Sequence, residues 1–222
     1  MRILAIETAG RACSVAVGLG QAHIERVDTR PRQHAAAVLP MVGACLAEAG
    51  LALIDLDGIA FGRGPGSFTG LRIAAGVVQG LAFGADLPVA PVSTLAATAA
   101  AADRRHGWRR VVVANDARLG EVYAARYAAA DGLPRLEGAE AVLDPAALPV
   151  AGPGWRGVGS AFFVWPELGP RLELEEVDPA LEPSARDLLG LAAAMFAAGA
   201  GVPAWEALPV YLRDEVAWRG GG

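Results

Sequence analysis

A glycine-rich segment at residues 62–72, GRGPGSFTGLR, carries the residue types best suited to close contact with a ligand or a partner. A strand is predicted before it over 56–61 and a helix after it from Thr69 to Gly84, so the segment turns from strand into helix. Glycine lets a backbone approach another molecule closely, and the N–H groups at a helix start can face an anion. The segment lacks the lysine and the spacing of a P-loop, and the chain contains no lysine at all. The segment is therefore suited to contact a ligand or a partner through its backbone.

Ser67 could act as a nucleophile only if its turn had the required shape. A Gly-x-Ser-x-Gly nucleophile elbow needs glycine at the positions that Pro65 and Thr69 occupy. This difference disfavours nucleophilic catalysis by Ser67. A turn shaped for helix entry and for contact with a partner is the better interpretation.

Three glycines of the following helix fall on one face. Gly76, Gly80 and Gly84 recur every four residues, so another backbone could approach that face closely. The neighbour is either the protein's own sheet or a second protein. We favour the second protein.

Composition limits the class of protein. At 222 residues the chain can bury one large core or two small ones, and its net charge of −5 argues against a broad nucleic-acid surface. Cys13 and Cys45 are too few for a disulfide framework or a zinc site. The uncharged stretch 188–205 contains glycines and a proline, which favours a buried helix ending at Gly199 over a membrane span. No signal peptide is predicted, because a strand-like run leads directly into Glu7, and we expect a cytoplasmic protein.

Strand and helix patterns alternate in two successive sets. The first set predicts strands at 3–8, 12–19, 23–28, 56–61 and 87–92 and helices at 33–49, 69–84 and 94–105. The second set predicts strands at 110–115, 121–128, 158–163 and 172–177, an irregular stretch at 133–157 and a helix from Ser184 to Ala198. Ser93 is a good N-cap for the third helix. The pattern predicts a duplicated α/β fold with a boundary near Gly107.

Three separated motifs resemble the bacterial TsaB (YeaZ) family. They are GRGPGSFTGLRI at 62–73, DARLGEVY at 116–123 and PVYLRDEVAW at 209–218. The similarity begins at MRILAIET, residues 1–8, and covers essentially the whole chain. The resemblance implies an actin-like/Hsp70-like ATPase (ASKHA) fold of the α/β class, with two tandem subdomains at 1–107 and 108–222.

The same resemblance implies a role in making threonylcarbamoyladenosine in tRNA, at the adenosine next to the anticodon. The expected role is that of a non-catalytic scaffold or activator, which forms a heterodimer with the related transferase TsaD and acts with the ATPase TsaE. A homodimer is expected when the chain is alone. Contact with tRNA would be indirect, no membrane is involved, and no cofactor is expected beyond weak ATP or ADP binding at the complex interface.

The resemblance places the partner interface on the glycine-rich loop and the helix after it. The expected interface residues are Gly64, Gly66, Ser67, Phe68, Thr69, Gly70, Arg72, Gly76, Gly80 and Gly84.

Two polar groups at predicted strand ends are candidates for contact with a nucleotide or a partner. Glu7 and Thr8 follow the first strand, where the implied fold keeps a phosphate-contacting loop; alternatively, Glu7 is a structural carboxylate that bonds the turn near Gly10. The second group is Asp116, Arg118 and Glu121. Arginine suits bidentate binding of a phosphate or a partner carboxylate. Alternatively, Asp116 and Arg118 form a solvated salt bridge.

The metal pair of the catalytic relative has no counterpart in this sequence. TsaD carries an HxxxH pair, and in that register this chain has Thr94 and Thr98. Neutral hydroxyls are poor iron or zinc ligands, so we expect no metal site and no catalytic residues.

Two other functions stay open as alternatives to the scaffold role. One is an ATP-using kinase of the actin-like type, which would need a phosphate loop that residues 115–118 do not provide. The other is a glycoprotease-like peptidase, for which no Ser/His/Asp spacing, Cys/His pair or metal cluster is found.

Overall fold

The computed structural model describes residues 1–213, which form two five-stranded mixed sheets with helices between and outside them. The strands of the first sheet are β1 (Arg2–Glu7), β2 (Cys13–Leu19), β3 (Ala22–Asp28), β4 (Gly58–Gly64) and β5 (Val89–Ser93). They lie side by side in the order β3-β2-β1-β4-β5. The β1–β2 and β2–β3 pairs are antiparallel, and the β1–β4 and β4–β5 pairs are parallel.

The second sheet repeats this topology. Its strands are β6 (Arg110–Arg118), β7 (Glu121–Ala130), β8 (Leu133–Leu143), β9 (Arg156–Val158) and β10 (Val177–Asp178). The order is β10-β9-β6-β7-β8, again with two antiparallel pairs on one side of the central strand and two parallel pairs on the other. The repeated order confirms the predicted duplicated α/β architecture of the actin-like type.

Four of the six α-helices in the described residues, the first three and the last, begin and end close to the positions that the sequence signals predict. They are α1 (His34–Ala49), α2 (Phe68–Ala85), α3 (Thr94–His106), α4 (Ala161–Val164), α5 (Leu168–Arg171) and α6 (Ala185–Ala197). Ser93 caps α3 as predicted, since its Oγ accepts hydrogen bonds from the N–H groups of Leu95 and Ala96. Gly107 ends the same helix in the left-handed conformation, with φ of 69°.

The helices and sheets stack in five layers. Helices α1 and α2 cover one face of the first sheet, and α3 and α6 cover its other face. Helix α3 also packs on the second sheet, through Leu95 and Ala99, while α4 and α5 cover that sheet's far side. The two sheets lie on either side of Gly107 in sequence, but α6 returns from the second half to pack on the first sheet.

Three sequence predictions in the second half are wrong. The stretch predicted as irregular contains β8, an edge strand in which Pro134 and Gly138 are tolerated; a register shift in the pairing with β7 accommodates the glycine. The strand predicted over 158–163 ends at Val158, because Gly159 has φ of 112° and α4 follows. Of the strand predicted over 172–177, only the last residue, Val177, lies in a strand, where it begins β10.

Helix α2 is the one described helix that is long and apolar enough to cross a membrane by length and composition alone. Its buried side chains, including Leu71, Ala74 and Val78, pack into the core between α2 and the first sheet. A helix that covers a sheet in a protein core meets the same criterion.

Candidate partner-binding site

The glycine-rich loop packs on the turn that follows β1. Ser67 N donates to Ala9 O over 2.9 Å, and Thr8 Oγ1 donates to Gly70 O over 2.8 Å. A Cβ added at Gly66 would press on Ala9, and one added at Gly70 would overlap the carbonyl oxygen of Thr8. These two glycines therefore serve an internal contact between backbones. Their contact with a partner stays a prediction.

Ser67 starts helix α2. Its Oγ accepts a hydrogen bond from Gly70 N over 3.3 Å, which is the N-cap geometry that serine provides well. The hydroxyl predicted not to be a nucleophile thus has a structural role at the helix start.

Glu7 lies beneath the glycine-rich loop and is almost fully buried. Its carboxylate accepts a hydrogen bond from Ala9 N over 2.6 Å and another from Thr94 Oγ1 over 3.4 Å. A Cβ at Gly62 would overlap the same carboxylate, so the absence of a side chain at Gly62 makes room for Glu7. Burial raises the pKa of Glu7 to about 7, against the lowering effect of these hydrogen bonds. This geometry matches the structural-carboxylate interpretation.

The two threonines at the expected metal-ligand positions are engaged inside the fold. Thr94 donates to Glu7, and Thr98 Oγ1 donates to the carbonyl oxygen of Thr94 over 2.8 Å. Both side chains are buried. Within residues 1–213, no group of three or more His, Cys, Asp or Glu side chains could hold a metal ion.

The outer face of α2 is open. Gly76, Gly80 and Gly84 are all exposed, and a Cβ added at any of them would meet no atom of this chain within 4 Å. The opposite face, with Leu71 and Val78, packs on the first sheet. The three glycines thus face away from the protein's own sheet, which leaves a flat backbone surface on the outside of the molecule.

The start of α2 carries an exposed group of aromatic and cationic side chains. The Arg72 guanidinium lies 3.4 Å from the centroid of the Phe68 ring and 5.7 Å from that of Tyr211. The two rings lie 5.7 Å apart, and both are about half exposed. Thr69 is exposed beside them. Aromatic and arginine side chains are enriched at the centres of protein interfaces.

The second predicted polar group lies at the β6–β7 turn. Asp116 and Arg118 form an ion pair of 3.0 Å, in which Arg118 is 85% exposed. Glu121 accepts hydrogen bonds from the guanidinium of Arg213, whose Nη2 also donates to the carbonyl oxygen of Ala117. Glu7 lies under the glycine-rich loop and not in this group, so the structure separates the predicted contact residues into two clusters.

A short C-terminal strap, residues 207–213, joins the two clusters. Val210 N donates to the carbonyl oxygen of Arg63 over 2.8 Å, and Gln79 Nε2 donates to that of Ala207 over 3.1 Å. Both Tyr211 and Arg213 belong to the third motif, but the sequence alone did not show what they contact. The rest of that motif, residues 214–218, lies outside the described residues.

A buried polar cluster links the two sheets, and the sequence gives little sign of it. Glu140 on β8 accepts hydrogen bonds from Ser93 and, over 2.6 Å, from the Tyr127 hydroxyl. Arg63 on β4 donates to the other oxygen of Glu140 over 3.4 Å. Burial, with Glu140 beside it, raises the pKa of Tyr127. Glu140 falls in the stretch predicted as irregular, so its position opposite Ser93 could not be inferred.

Comparison with known proteins identifies the family of this chain. The family described as "TsaD: tRNA N6-adenosine threonylcarbamoyltransferase" matches residues 28–151. The chain is 46% identical to the "tRNA threonylcarbamoyladenosine biosynthesis protein TsaB" of Escherichia coli (strain K12), over 99% of this chain and 97% of that protein. Identity to the Haemophilus influenzae protein of the same description is 38%, over 99% and 96%. The solved structure "YeaZ from Pseudomonas aeruginosa" has a TM-score of 0.90 and 47% identity, over 95% of this chain and 99% of that one.

The duplicated sheets and the family match define the class of protein as TsaD-related. Within that class, the full-length similarity to TsaB and YeaZ proteins is decisive: the chain belongs to the TsaB (YeaZ) family.

Proposed function

We propose that this protein is a non-catalytic subunit that activates a TsaD-family transferase during threonylcarbamoyladenosine synthesis at the tRNA adenosine next to the anticodon. The observation that carries the proposal is the open glycine face of α2, which is exposed and touches nothing in its own chain. A helix without side chains on one face can lie unusually close to a partner's backbone. The descriptions of the relatives as threonylcarbamoyladenosine biosynthesis proteins support the reaction.

The side chains that a catalyst would need are engaged elsewhere, which supports a non-catalytic role. Transfer of the threonylcarbamoyl group requires activation of the acyl carbonyl and orientation of the adenine amine. Here Thr94 and Thr98 hydrogen-bond inside the fold, and Ser67 caps a helix. Glu7 is buried beneath the loop. Of these groups only Ser67 is exposed, and its hydroxyl is engaged at the start of α2.

The proposal includes the assembly. The chain pairs with TsaD through α2 and the start of the glycine-rich loop, forms a homodimer through the same face when alone, and works with TsaE in the cytoplasm. It holds no cofactor of its own, and nucleotide binds weakly at the interface of the complex. Contact with tRNA is made mainly by the partner, consistent with the net charge of −5.

Omission of single components tests this role directly. Reaction mixtures contain TsaD, TsaE, this chain, tRNA and a supply of threonylcarbamoyl-adenylate, with one component left out at a time. We expect no modified adenosine from this chain alone and loss of product when it is omitted. Product made by this chain alone would overturn the non-catalytic assignment. Full activity without the chain would remove its proposed role.

Substitutions of different size at Gly80 test whether α2 forms the interface. Because a Cβ at this position meets no atom of its own chain, Gly80→Leu should fold normally. In the complex, the added side chain would separate two packed backbones, and overpacking costs about 1–3 kcal/mol. We expect weaker homodimer formation and weaker pairing with TsaD, measured by analytical ultracentrifugation and calorimetry.

Gly80→Ala is the matched control, since its single methyl group should weaken association much less. Circular dichroism and thermal unfolding establish that both variants fold. Unchanged association of Gly80→Leu would remove α2 from the proposed interface.

A further inference from the structure

Glu140 lies in a bulge of β8, and its side chain is buried although β8 is an edge strand. Ala141 of β8 pairs with Ala124 of β7. The next pair joins Glu137 to Arg126, so one residue of β7 lies opposite three residues of β8. A bulge in an edge strand changes the direction of a side chain. The Glu140 side chain is only 8% exposed, and it reaches the first sheet.

The Glu140 carboxylate binds groups from both sheets. One oxygen accepts hydrogen bonds from the Ser93 hydroxyl, at the end of β5, and from the Tyr127 hydroxyl on β7. The other oxygen accepts from the Arg63 guanidinium on β4. Among residues 1–213, Glu140 is the only residue on a strand of the second sheet whose side chain hydrogen-bonds a strand of the first.

Ser93 connects this contact to the start of α3. Its hydroxyl donates to Glu140 while it caps the helix. The N-terminal end of a helix carries a partial positive charge, which favours a carboxylate beside it. The next residue, Thr94, donates to Glu7 beneath the glycine-rich loop. The start of α3 is therefore bound by the second sheet and also by the carboxylate under the loop.

Arg63 belongs to the glycine-rich segment itself, residues 62–72. Its carbonyl oxygen accepts from Val210 N over 2.8 Å, so both its side chain and its backbone are held. A Cβ added at the next residue, Gly64, would lie 2.9 Å from the carbonyl oxygen of Val210 and 2.9 Å from the side chain of Leu71. Because the chain is closely packed here, a shift of Arg63 would move the residues that follow it.

We propose that Glu140 is a positioning residue, which clamps the second sheet to the glycine-rich segment and so sets the geometry with which that segment meets its partner. The part that concerns the partner rests on the proposed function, whereas the clamp is a property of the isolated chain. Hydrogen bonds from a guanidinium and a hydroxyl to one carboxylate are strong and directional. A buried charge costs more than an apolar side chain would, so its presence here fits a role in fixing geometry.

Glu140→Gln tests the clamp with little change in shape. The amide oxygen of glutamine can still accept from Ser93 and Tyr127, but its amide group would meet the Arg63 guanidinium as donor against donor. We expect hydrogen exchange at the Ser67 and Val210 amides, followed by NMR under native conditions, to become about tenfold faster. This is the effect of losing one hydrogen bond to a charged group. Amides in the centre of β6 should keep their wild-type protection.

Tyr127→Phe is the matched control. It removes another hydrogen bond to the same carboxylate, but both partners of that bond lie on the second sheet. Exchange at Ser67 and Val210 should therefore stay close to the wild-type rate. Arg63→Met should reproduce the effect of Glu140→Gln, and the double variant should add little to it, because both substitutions break the same contact.

The pattern of exchange decides between a clamp and a local role. Equal loss of protection at all amides, or a loss confined to β7 and β8, would mean that Glu140 only stabilises its own sheet, and the clamp would be wrong. Glu140→Gln should also lower the affinity for purified TsaD about tenfold in isothermal titration calorimetry. Unchanged affinity would overturn the role in partner binding. If the wild-type chain itself failed to bind TsaD, the proposed function would be wrong, and the exchange rates would still decide the clamp.

Discussion

Replacing Gly70 by alanine should destabilise the chain by about 3 kcal/mol or more, the upper part of the range for overpacked sites. The added Cβ would overlap the carbonyl oxygen of Thr8, which is backbone and cannot rotate away. The same shift would disturb the hydrogen bond from the Thr8 hydroxyl to Gly70 O. The glycine-rich loop would then separate from the turn after β1. Urea unfolding followed by circular dichroism measures the loss.

Gly80→Ala is the matched comparison, since both glycines belong to α2 and only Gly70 faces its own chain. In an exposed helical position alanine is favoured over glycine by about 1 kcal/mol, so Gly80→Ala should stabilise the chain slightly. We therefore expect the glycine-to-alanine substitution to lower the free energy of unfolding at position 70 and to raise it slightly at position 80. If Gly70→Ala unfolded at the wild-type urea concentration, the close packing of the loop on Thr8 would be wrong.

Local signals in the sequence were sufficient for the first sheet and its helices. Ser67 and Ser93 mark helix starts through hydrogen bonds within three residues, and Gly50 and Gly107 mark helix ends through their left-handed backbone. The four-residue spacing of the α2 glycines also predicted that they share a face. That they face outward needed the structure, because spacing alone does not say which side of a helix meets the sheet.

The second sheet was harder to predict because its shape depends on contacts between distant residues. Strand β8 contains proline and glycine, which usually interrupt strands, and it is stable as an edge strand paired with β7. Strands β9 and β10 are only three and two residues long, too short for a periodic pattern.

The same reason limited prediction of the site. Glu140 meets Ser93 from 47 residues away, and Arg213 meets Glu121 from 92 residues away. Nothing local in the sequence pairs these side chains. The family resemblance identified DARLGEVY and PVYLRDEVAW as separate motifs, and the structure shows that Arg213 of PVYLRDEVAW bonds the β6–β7 turn of DARLGEVY. Conversely, the predicted contact residue Glu7 lies beneath the loop, where Gly62 leaves room for its carboxylate.

The stability of the folded chain should fall between pH 5 and pH 8 because of Glu7. In the unfolded chain this carboxyl group loses its proton near pH 4.5, whereas in the folded chain burial raises its pKa to about 7. Between these values the folded state holds one more proton than the unfolded state, so the free energy of unfolding decreases as the pH rises. The contribution is fully present below pH 4.5 and is lost as the pH passes through 7. The full difference amounts to about 3 kcal/mol.

Glu7→Gln should abolish this part of the pH dependence. Glutamine stays neutral, its Oε1 can still accept from Ala9 N, and its Nε2 can donate to the Thr94 hydroxyl. We therefore expect the variant to match the wild-type chain at pH 5 and to exceed its stability at pH 8 by up to about 3 kcal/mol, in urea unfolding at both pH values. Glu137→Gln, at an exposed position of β8, should follow the wild-type profile. If Glu7→Gln instead lost stability at pH 8, the buried Glu7 would be held as a carboxylate, and its hydrogen bonds from Ala9 N and Thr94 Oγ1 would outweigh the cost of burying the charge.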